Sequence, residues 1–253
     1  MALAANVSRG FRAPTLFELY VSGVHGGVAA IQQGNPDLEE ETSINTDISL
    51  RWATGDSRFK LTGYRNVIDD YIFTRDTGNM MNGLPVFVFD QGKAQLTGVE
   101  LSVNHQVTDW LAVNAAAEAV NGELRGSGDE LPLLPADNVR AGVVLDQPRL
   151  GALDQPYLTA DVRYVASKDA APGEPFSQFD GAPFGTASTS SYTRVDIGGG
   201  FALDVQGRVV NLDLAVTNLF DEDYRDFLDT YKGYALSPGR DIRLTLRSAF
   251  GGE

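Results

Sequence analysis

The sequence predicts an all-β fold: an antiparallel up-and-down transmembrane β-barrel, of which this chain supplies about ten strands. Three observations predict it. Apolar and polar residues alternate with a period of two over most of the chain. Short turns alternate with long loops. The polar half of the alternation carries charges too wet for a packed core.

The alternation is clearest in Ile44-Asn45-Thr46-Asp47-Ile48-Ser49-Leu50-Arg51-Trp52. It returns in Val99-Glu100-Leu101-Ser102-Val103-Asn104 and in Val210-Asn211-Leu212-Asp213-Leu214-Ala215-Val216-Thr217. Near the end Ile242, Leu244 and Leu246 alternate with Asp241, Arg243, Thr245 and Arg247. A period of two puts each set on its own face of a strand. Strands are expected at 2–9, 43–54, 58–75, 86–105, 110–124, 138–146, 157–166, 192–204, 208–219 and 239–250, with ends placed to within about 2–4 residues.

The connections form two classes. Short ones fall at 54–57, 106–109, 146–156 and 205–208. Long ones, rich in Gly, Pro, Asn, Asp and Ser, fall at 10–42, 76–85, 125–137, 167–191 and 220–238. Tight turns on one side and long loops on the other belong to outer-membrane barrels. A water-soluble barrel or β-sandwich alternates as well, with the apolar face inward. The charges at Asp47, Arg51, Glu100, Arg194, Asp196, Asp213, Arg243 and Arg247 favour the membrane version, as does a closing amphipathic strand with Phe250 near its end. One hairpin is predicted to the residue. Val205 faces Arg208 around Gln206-Gly207, which sets Leu203, Phe201 and Ile197 against Val210, Leu212 and Val216 on the lipid side. Gly200, Gly198 and Asp196 then meet Asp213, Ala215 and Thr217 on the lumen side, where Arg243 and Arg247 join them.

Composition narrows the function. The 253 residues carry a net charge of −14, which argues against nucleic acid as a partner. Cysteine is absent, so disulfides and thiolate metal sites are excluded. No apolar run approaches the roughly 20 residues of a membrane helix. The first residues, Met1-Ala-Leu-Ala-Ala-Asn, are not expected to be a signal peptide. The pattern calls for no cofactor and no enzyme. Gly198-Gly199-Gly200 lies within a strand and lacks the lysine and helix of a phosphate loop.

Three segments, in order, carry a resemblance that covers essentially the whole chain. Arg9-Gly10-Phe11-Arg12-Ala13-Pro14-Thr15-Leu16-Phe17-Glu18-Leu19-Tyr20 is followed by Gly34-Asn35-Pro36-Asp37-Leu38-Glu39-Glu40-Glu41-Thr42-Ser43. Ala94-Gln95-Leu96-Thr97-Gly98-Val99-Glu100-Leu101 comes second. Asn218-Leu219-Phe220-Asp221-Glu222-Asp223-Tyr224 and Pro238-Gly239-Arg240 close the series. The chain resembles the barrel of TonB-dependent receptors. The resemblance implies a bacterial outer-membrane location, contact with outer-membrane lipid, and uptake of a scarce nutrient such as a ferric siderophore, haem, cobalamin or zinc. It implies a barrel of about 22 strands. Residues 1–250 are then the C-terminal part of that barrel, 251–253 a short tail after the terminal aromatic, and the plug domain and TonB contact are expected in a missing N-terminal part. A passive channel or structural barrel is the alternative, and a barrel-embedded hydrolase a more distant one.

The candidate ligand-loop residues are His25, Tyr20, Asp221, Asp223, Asp226 and Tyr231. Tyr20-Val21-Ser22-Gly23-Val24-His25 resembles a loop of a receptor subgroup associated with zinc uptake. An imidazole there can ligate metal, but zinc takes about four ligands, and a solvated loop histidine fits as well. Asp221, Glu222, Asp223, Asp226 and Asp229 suit a cation, or simply a solvated acidic loop. Tyr20, Tyr224, Tyr231 and Tyr234 are expected to touch ligand or to form a girdle at the membrane edge. Asp196, Asp213, Arg243 and Arg247 are expected to face the lumen.

Overall fold

The computed structural model describes residues 1–26, 30–171 and 188–248. In chain order the elements are β1 (Ala2–Arg12), α1 (Leu16–Tyr20), β2 (Ser22–His25), β3 (Ala30–Gln33), β4 (Glu41–Ala53), β5 (Ser57–Met81), β6 (Leu84–Thr108), β7 (Leu111–Leu124), β8 (Asn138–Asp146), β9 (Arg149–Leu150), β10 (Leu153–Val165), β11 (Tyr192–Val205), β12 (Arg208–Thr217) and β13 (Asp241–Ser248). They make one 13-stranded sheet with the order β1-β4-β5-β6-β7-β8-β10-β11-β12-β13. Each neighbour on that path runs antiparallel, and the path is not closed. Among the described residues no helix is long and apolar enough to cross a membrane, which says nothing against crossing with strands.

The pairing sorts the side chains into two faces. One row runs Leu3–Leu50–Leu61–Leu101–Ala117–Val139–Tyr164, and another Leu145–Leu158–Gly199–Leu214–Leu244. These apolar side chains are not packed away: Leu158 is 55% exposed and Leu244 65%. Rows of exposed apolar side chains confined to one face are what a membrane-spanning barrel turns outward. All eight charged residues singled out in the sequence share the opposite face.

The β11–β12 hairpin has the predicted register, with Leu203, Phe201 and Ile197 opposite Val210, Leu212 and Val216, and Gly200 and Gly198 opposite Asp213 and Ala215. Gln206 and Gly207 take φ of 55° and 76°, the left-handed pair a two-residue hairpin favours. The ladder ends at Ile197–Val216, so the expected Asp196–Thr217 pair is not part of it. The Asp196 carboxylate accepts instead from the Asn218 N–H at 2.8 Å.

The loops depart from the pattern expected of them. The stretch 76–85 is the end of a long hairpin, not a long loop. β5 and β6 run to a two-residue turn at Asn82-Gly83, with φ of 54° and 78°. Asn-Gly is a hairpin signal, and the nearby Gly78 and Asn79 masked it. The stretch 10–42 holds α1, β2 and β3, and β3 joins β6 in parallel through Ile31–Val86 and Gln33–Val88. The turn at 146–156 contains β9. Pro156 lacks an N–H, and the β10–β11 register shifts between Asp154 and Tyr157. β13 begins at Asp241 and is described to Ser248; the expected terminal aromatic, Phe250, and the tail 251–253 lie outside the described residues.

Gly98, expected at a bulge or close approach, belongs to the second kind. The Tyr64 ring lies across it, where a β-carbon would collide with the ring. Tyr157 covers Gly200 on the same polar face.

Candidate functional site

At one end of β1, Arg12 stands between two carboxylates. Its Nε and Nη2 donate to the two oxygens of Glu41 at 2.8 and 2.7 Å, and Nη1 donates to Glu18 at 2.9 Å. Such forked, charge-assisted pairs fix both geometry and partner. Glu18 closes a capping box: Thr15 N–H donates to its carboxylate at 2.6 Å, and Glu18 N–H donates to Thr15 Oγ1 at 3.2 Å. Burial pushes the Glu18 carboxyl up, but the hydrogen bonds from Arg12 and Thr15 outweigh it and hold the group below its ordinary range. Glu41 also accepts from Ile72 N–H at 2.7 Å, which ties this node to β5.

The Gly34-Asn35-Pro36 turn docks on the same node. Gly34 passes so close to the Leu19–Tyr20 backbone that a β-carbon would sit 2.6 Å from it. Asn35 N–H donates to Glu18 O at 2.9 Å, and Asp37 N–H to Asn35 Oδ1 at 3.0 Å. Leu38 then packs with Ile72 and Phe89 against Leu19 and Val21. The first motif is thus a latch that seats α1 and the β2–β3 hairpin. It presents Tyr20, 65% exposed, and His25, whose ring meets the Phe17 edge at 6.0 Å.

The second anchored loop follows β12. Asn218 is buried with φ 51°; its Nδ2 donates to Glu222 O and its Oδ1 accepts from Glu222 N–H, at 2.9 and 2.8 Å. Asp221 Oδ1 accepts from Arg240 N–H at 2.7 Å, so the two halves of the third motif clasp each other. Asp226 takes the N–H of Leu228 at 3.0 Å and the Tyr192 hydroxyl at 3.4 Å. Lys232 is buried, donating to Phe227 O with its ammonium 3.6 Å from the Phe227 ring centroid. Tyr224, expected from the sequence to touch ligand or join a girdle at the membrane edge, does neither. It is 8% exposed and stacked on Tyr192 at 4.3 Å, filling the loop's own core. Asp223 and Tyr231 stay exposed. Among the described residues no three His, Cys, Asp or Glu side chains gather as a metal site. The acidic cluster shapes this loop.

Between the anchored loops and the turns lies the polar face. A basic row, Arg51–Lys60–Ser102–Ala116–Arg140–Arg163–Arg194, crosses it from strand to strand. Glu100 and Glu118 sit directly opposite each other on one side of the row, and Asp161 and Asp196 on the other. A cavity of about 630 Å³ opens here, lined by Lys60, Glu100, Glu118, Arg140, Asp161 and Arg163 among others. Like charges face to face weaken a ladder unless something else meets them. Asn138 Nδ2 reaches Glu118 at 2.6 Å, while Asp47 Oδ2 and Asn66 Oδ1 are buried without a partner. Of the predicted face residues, Asp196 pairs with Arg194 at 2.9 Å, Asp213 with Arg247 at 3.6 Å and with the Tyr157 hydroxyl at 2.7 Å, and Arg243 with Asp241 at 3.8 Å. The basic row was invisible in sequence because its members are scattered from Arg51 to Arg194; only the register assembles it.

A family model described as "TonB dependent receptor-like, beta-barrel" matches residues 1–219. An iron-regulated outer membrane virulence protein of Vibrio cholerae is 27% identical over 259 residues, covering 96% of this chain. A heme/hemopexin utilization protein C of Haemophilus influenzae is 26% identical and covers 97%. The chain spans only 36% and 35% of those relatives. Among solved structures, that of the copper transporter OprC superimposes with a TM-score of 0.76 at 20% identity, over 98% of this chain and 37% of its own.

Proposed function

The chain belongs to the TonB-dependent receptor family, as a segment of its outer-membrane β-barrel, and from that premise we propose that the complete receptor captures a scarce nutrient outside the cell and imports it with TonB. The family and these relatives are receptors and transporters, not enzymes, so the hydrolase alternative falls. The observation that carries the proposal is the pairing of two anchored loops with a charged polar face that holds a cavity of about 630 Å³. The loops present His25, Tyr20, Asp223 and Tyr231, with Asp221 and Asp226 holding the second loop in shape. The polar face, including Asp196, Asp213, Arg243 and Arg247, is the lumen wall. Its facing Glu100 and Glu118 and the unpartnered Asp47 and Asn66 suit a surface that another part of the receptor covers. The apolar face meets outer-membrane lipid. TonB is reached through a part of the receptor outside this chain.

The nutrient is an iron complex, haem, cobalamin or a metal such as zinc. Growth of a strain carrying the complete gene, supplied with one such source at a time, identifies it. Growth that needs both the receptor and TonB supports the proposal. Uptake that persists without TonB marks a passive channel and overturns it.

A further inference from the structure

The loop between β7 and β8 folds inward. Ile68, Ala94 and Gly122 share the polar face with Tyr64, Gly98 and Glu118 by alternation, toward the long-loop ends of their strands. Leu131 and Leu134 pack onto them, 1% and 8% exposed, with Tyr71, Leu96 and Leu124 alongside. The fit is close: a β-carbon on Gly122 would stand 2.8 Å from the Leu134 side chain and 2.9 Å from that of Leu131. Backbone bonds repeat the attachment, from Leu131 N–H to Gly122 O at 2.9 Å and from Leu124 N–H to Asp129 O at 2.8 Å. The Lys168 ammonium donates to the Glu130 carboxylate. Pro132 and Pro135 fix φ at their own positions. Residues 130–136 thus form a braced sill laid along the lumen face at the outer mouth.

Between the two buried leucines stands Leu133, 52% exposed, with φ of 57°. Among the described residues seven that are not glycine have positive φ, and the other six are Asp, Asn or Gln. Leu133 follows Pro132 in a tight turn, where Gly or Asn is the unstrained choice. Leucine there carries backbone strain and also leaves apolar surface in water. It belongs to none of the buried clusters among the described residues, so packing does not offset either cost. A residue that breaks two local rules without a gain in packing points to a function.

We propose that Leu133 is a specificity-determining contact for the apolar face of an organic nutrient complex, held out into the mouth by the sill. The inference rests on the import reading. An alkyl side chain offers nothing to a hydrated metal ion; it gains only by covering carbon surface. The brace suits such a contact, because a side chain already held in place loses little freedom when the ligand arrives. Haem, cobalamin and a ferric catecholate carry an apolar ring face. Zinc and ferric citrate do not.

The test uses the complete receptor that carries this chain, in a strain without another route for the source supplied. Haem, cobalamin, a ferric catecholate, ferric citrate and zinc are given one at a time, and initial uptake rate is measured against concentration. The wild type is expected to import one of the first three. Leu133→Gly relieves the strain and removes the contact. It is expected to unfold no earlier than the wild type in detergent and to keep the maximal rate. It should need at least about tenfold more of that source for half-maximal uptake, the scale of one leucine side chain withdrawn from water. Leu133→Met restores apolar surface of similar volume and should return that concentration to within about twofold of the wild type. Leu150→Gly, at a short turn on the other side, should leave uptake as it is. An unchanged half-maximal concentration in Leu133→Gly overturns the proposal. So does a fall in maximal rate alone, which would give the sill a part in movement, and so does earlier unfolding, which would make Leu133 a packing residue. A wild type that imports only zinc or ferric citrate overturns it as well. If the wild type imports none of the five with TonB, the import reading beneath the proposal fails instead.

Discussion

Arg12 matters because of what it would leave behind. The side chains of Glu18 and Glu41 are only 15% and 12% exposed, and both oxygens of Glu41 are held by Arg12. Removing the guanidinium strands two nearly buried carboxylates, so Arg12→Ala is expected to weaken the latch by about 2–3 kcal/mol. Hydrogen exchange should rise across 13–40 and not in β11–β12; unchanged protection there would refute the latch. The same node sets a pH dependence. Glu18 titrates lower in the folded latch than in the released chain, so its contribution is complete above the ordinary carboxylate range and is lost as pH falls through the depressed value. Glu18→Gln should therefore flatten the acid-side loss of protection in this segment, measured by exchange at a series of pH values. Asn218→Ala removes both hydrogen bonds to Glu222 and a residue suited to φ 51°, so limited proteolysis should open 218–237 first. A cleavage pattern like the wild type would argue that Asp221 and Arg240 clasp the loop without it.

Among the elements, strands were legible and loop folds were not. A strand announces itself through nearest neighbours: Asp213 and Leu214 must point apart whatever lies elsewhere, and Gln206-Gly207 fixes where Phe201 meets Leu212. β3 announces nothing locally. Its four residues, Ala30–Gln33, become a strand through their pairing with β2 and because β6 runs far enough past β4 to accept them in parallel. α1 is likewise too short for a helical period, although Thr15 and Glu18 held the spacing of a capping box in plain view. The second motif had a local explanation that the sequence left open between bulge and close approach. Tyr64 settles it by lying over Gly98. Gly98→Val is accordingly expected to force the ring aside and destabilise the β5–β6 ladder by about 1–3 kcal/mol, with the denaturation midpoint in detergent as the measurement. Pairing Gly98→Val with Tyr64→Ala should recover part of that loss. If the double variant is no better than the sum of the two singles, the ring is not the cause.

At the scale of the whole molecule, the 253-residue chain by itself poses a problem of edges and faces. β1 and β13 end the sheet, and each offers a row of backbone N–H and C=O groups along one side. β1 runs for 11 residues and β13 for 8. Neither edge is blunted by proline, and each alternates apolar side chains with polar ones. Leu3, Val7 and Phe11 on β1, and Ile242, Leu244 and Leu246 on β13, are all more than 60% exposed. Long edges that carry exposed apolar side chains are templates for pairing with other chains. Charge does not prevent it: the net −14 repels at a distance, but the polar face carries its own basic row, and screening shortens the repulsion to about 8–10 Å at ordinary salt. The ten-strand path from β1 to β13 does not close on itself, so both edges stay open. The expressed 253-residue polypeptide should therefore aggregate in water, with strand-rich infrared or circular-dichroism spectra in the aggregate, and should disperse only when detergent covers the apolar face. Analytical ultracentrifugation decides the matter: a single monomeric species in buffer without detergent would mean that the apolar rows are covered from within, and the assignment of the two faces to lipid and lumen would have to be reversed.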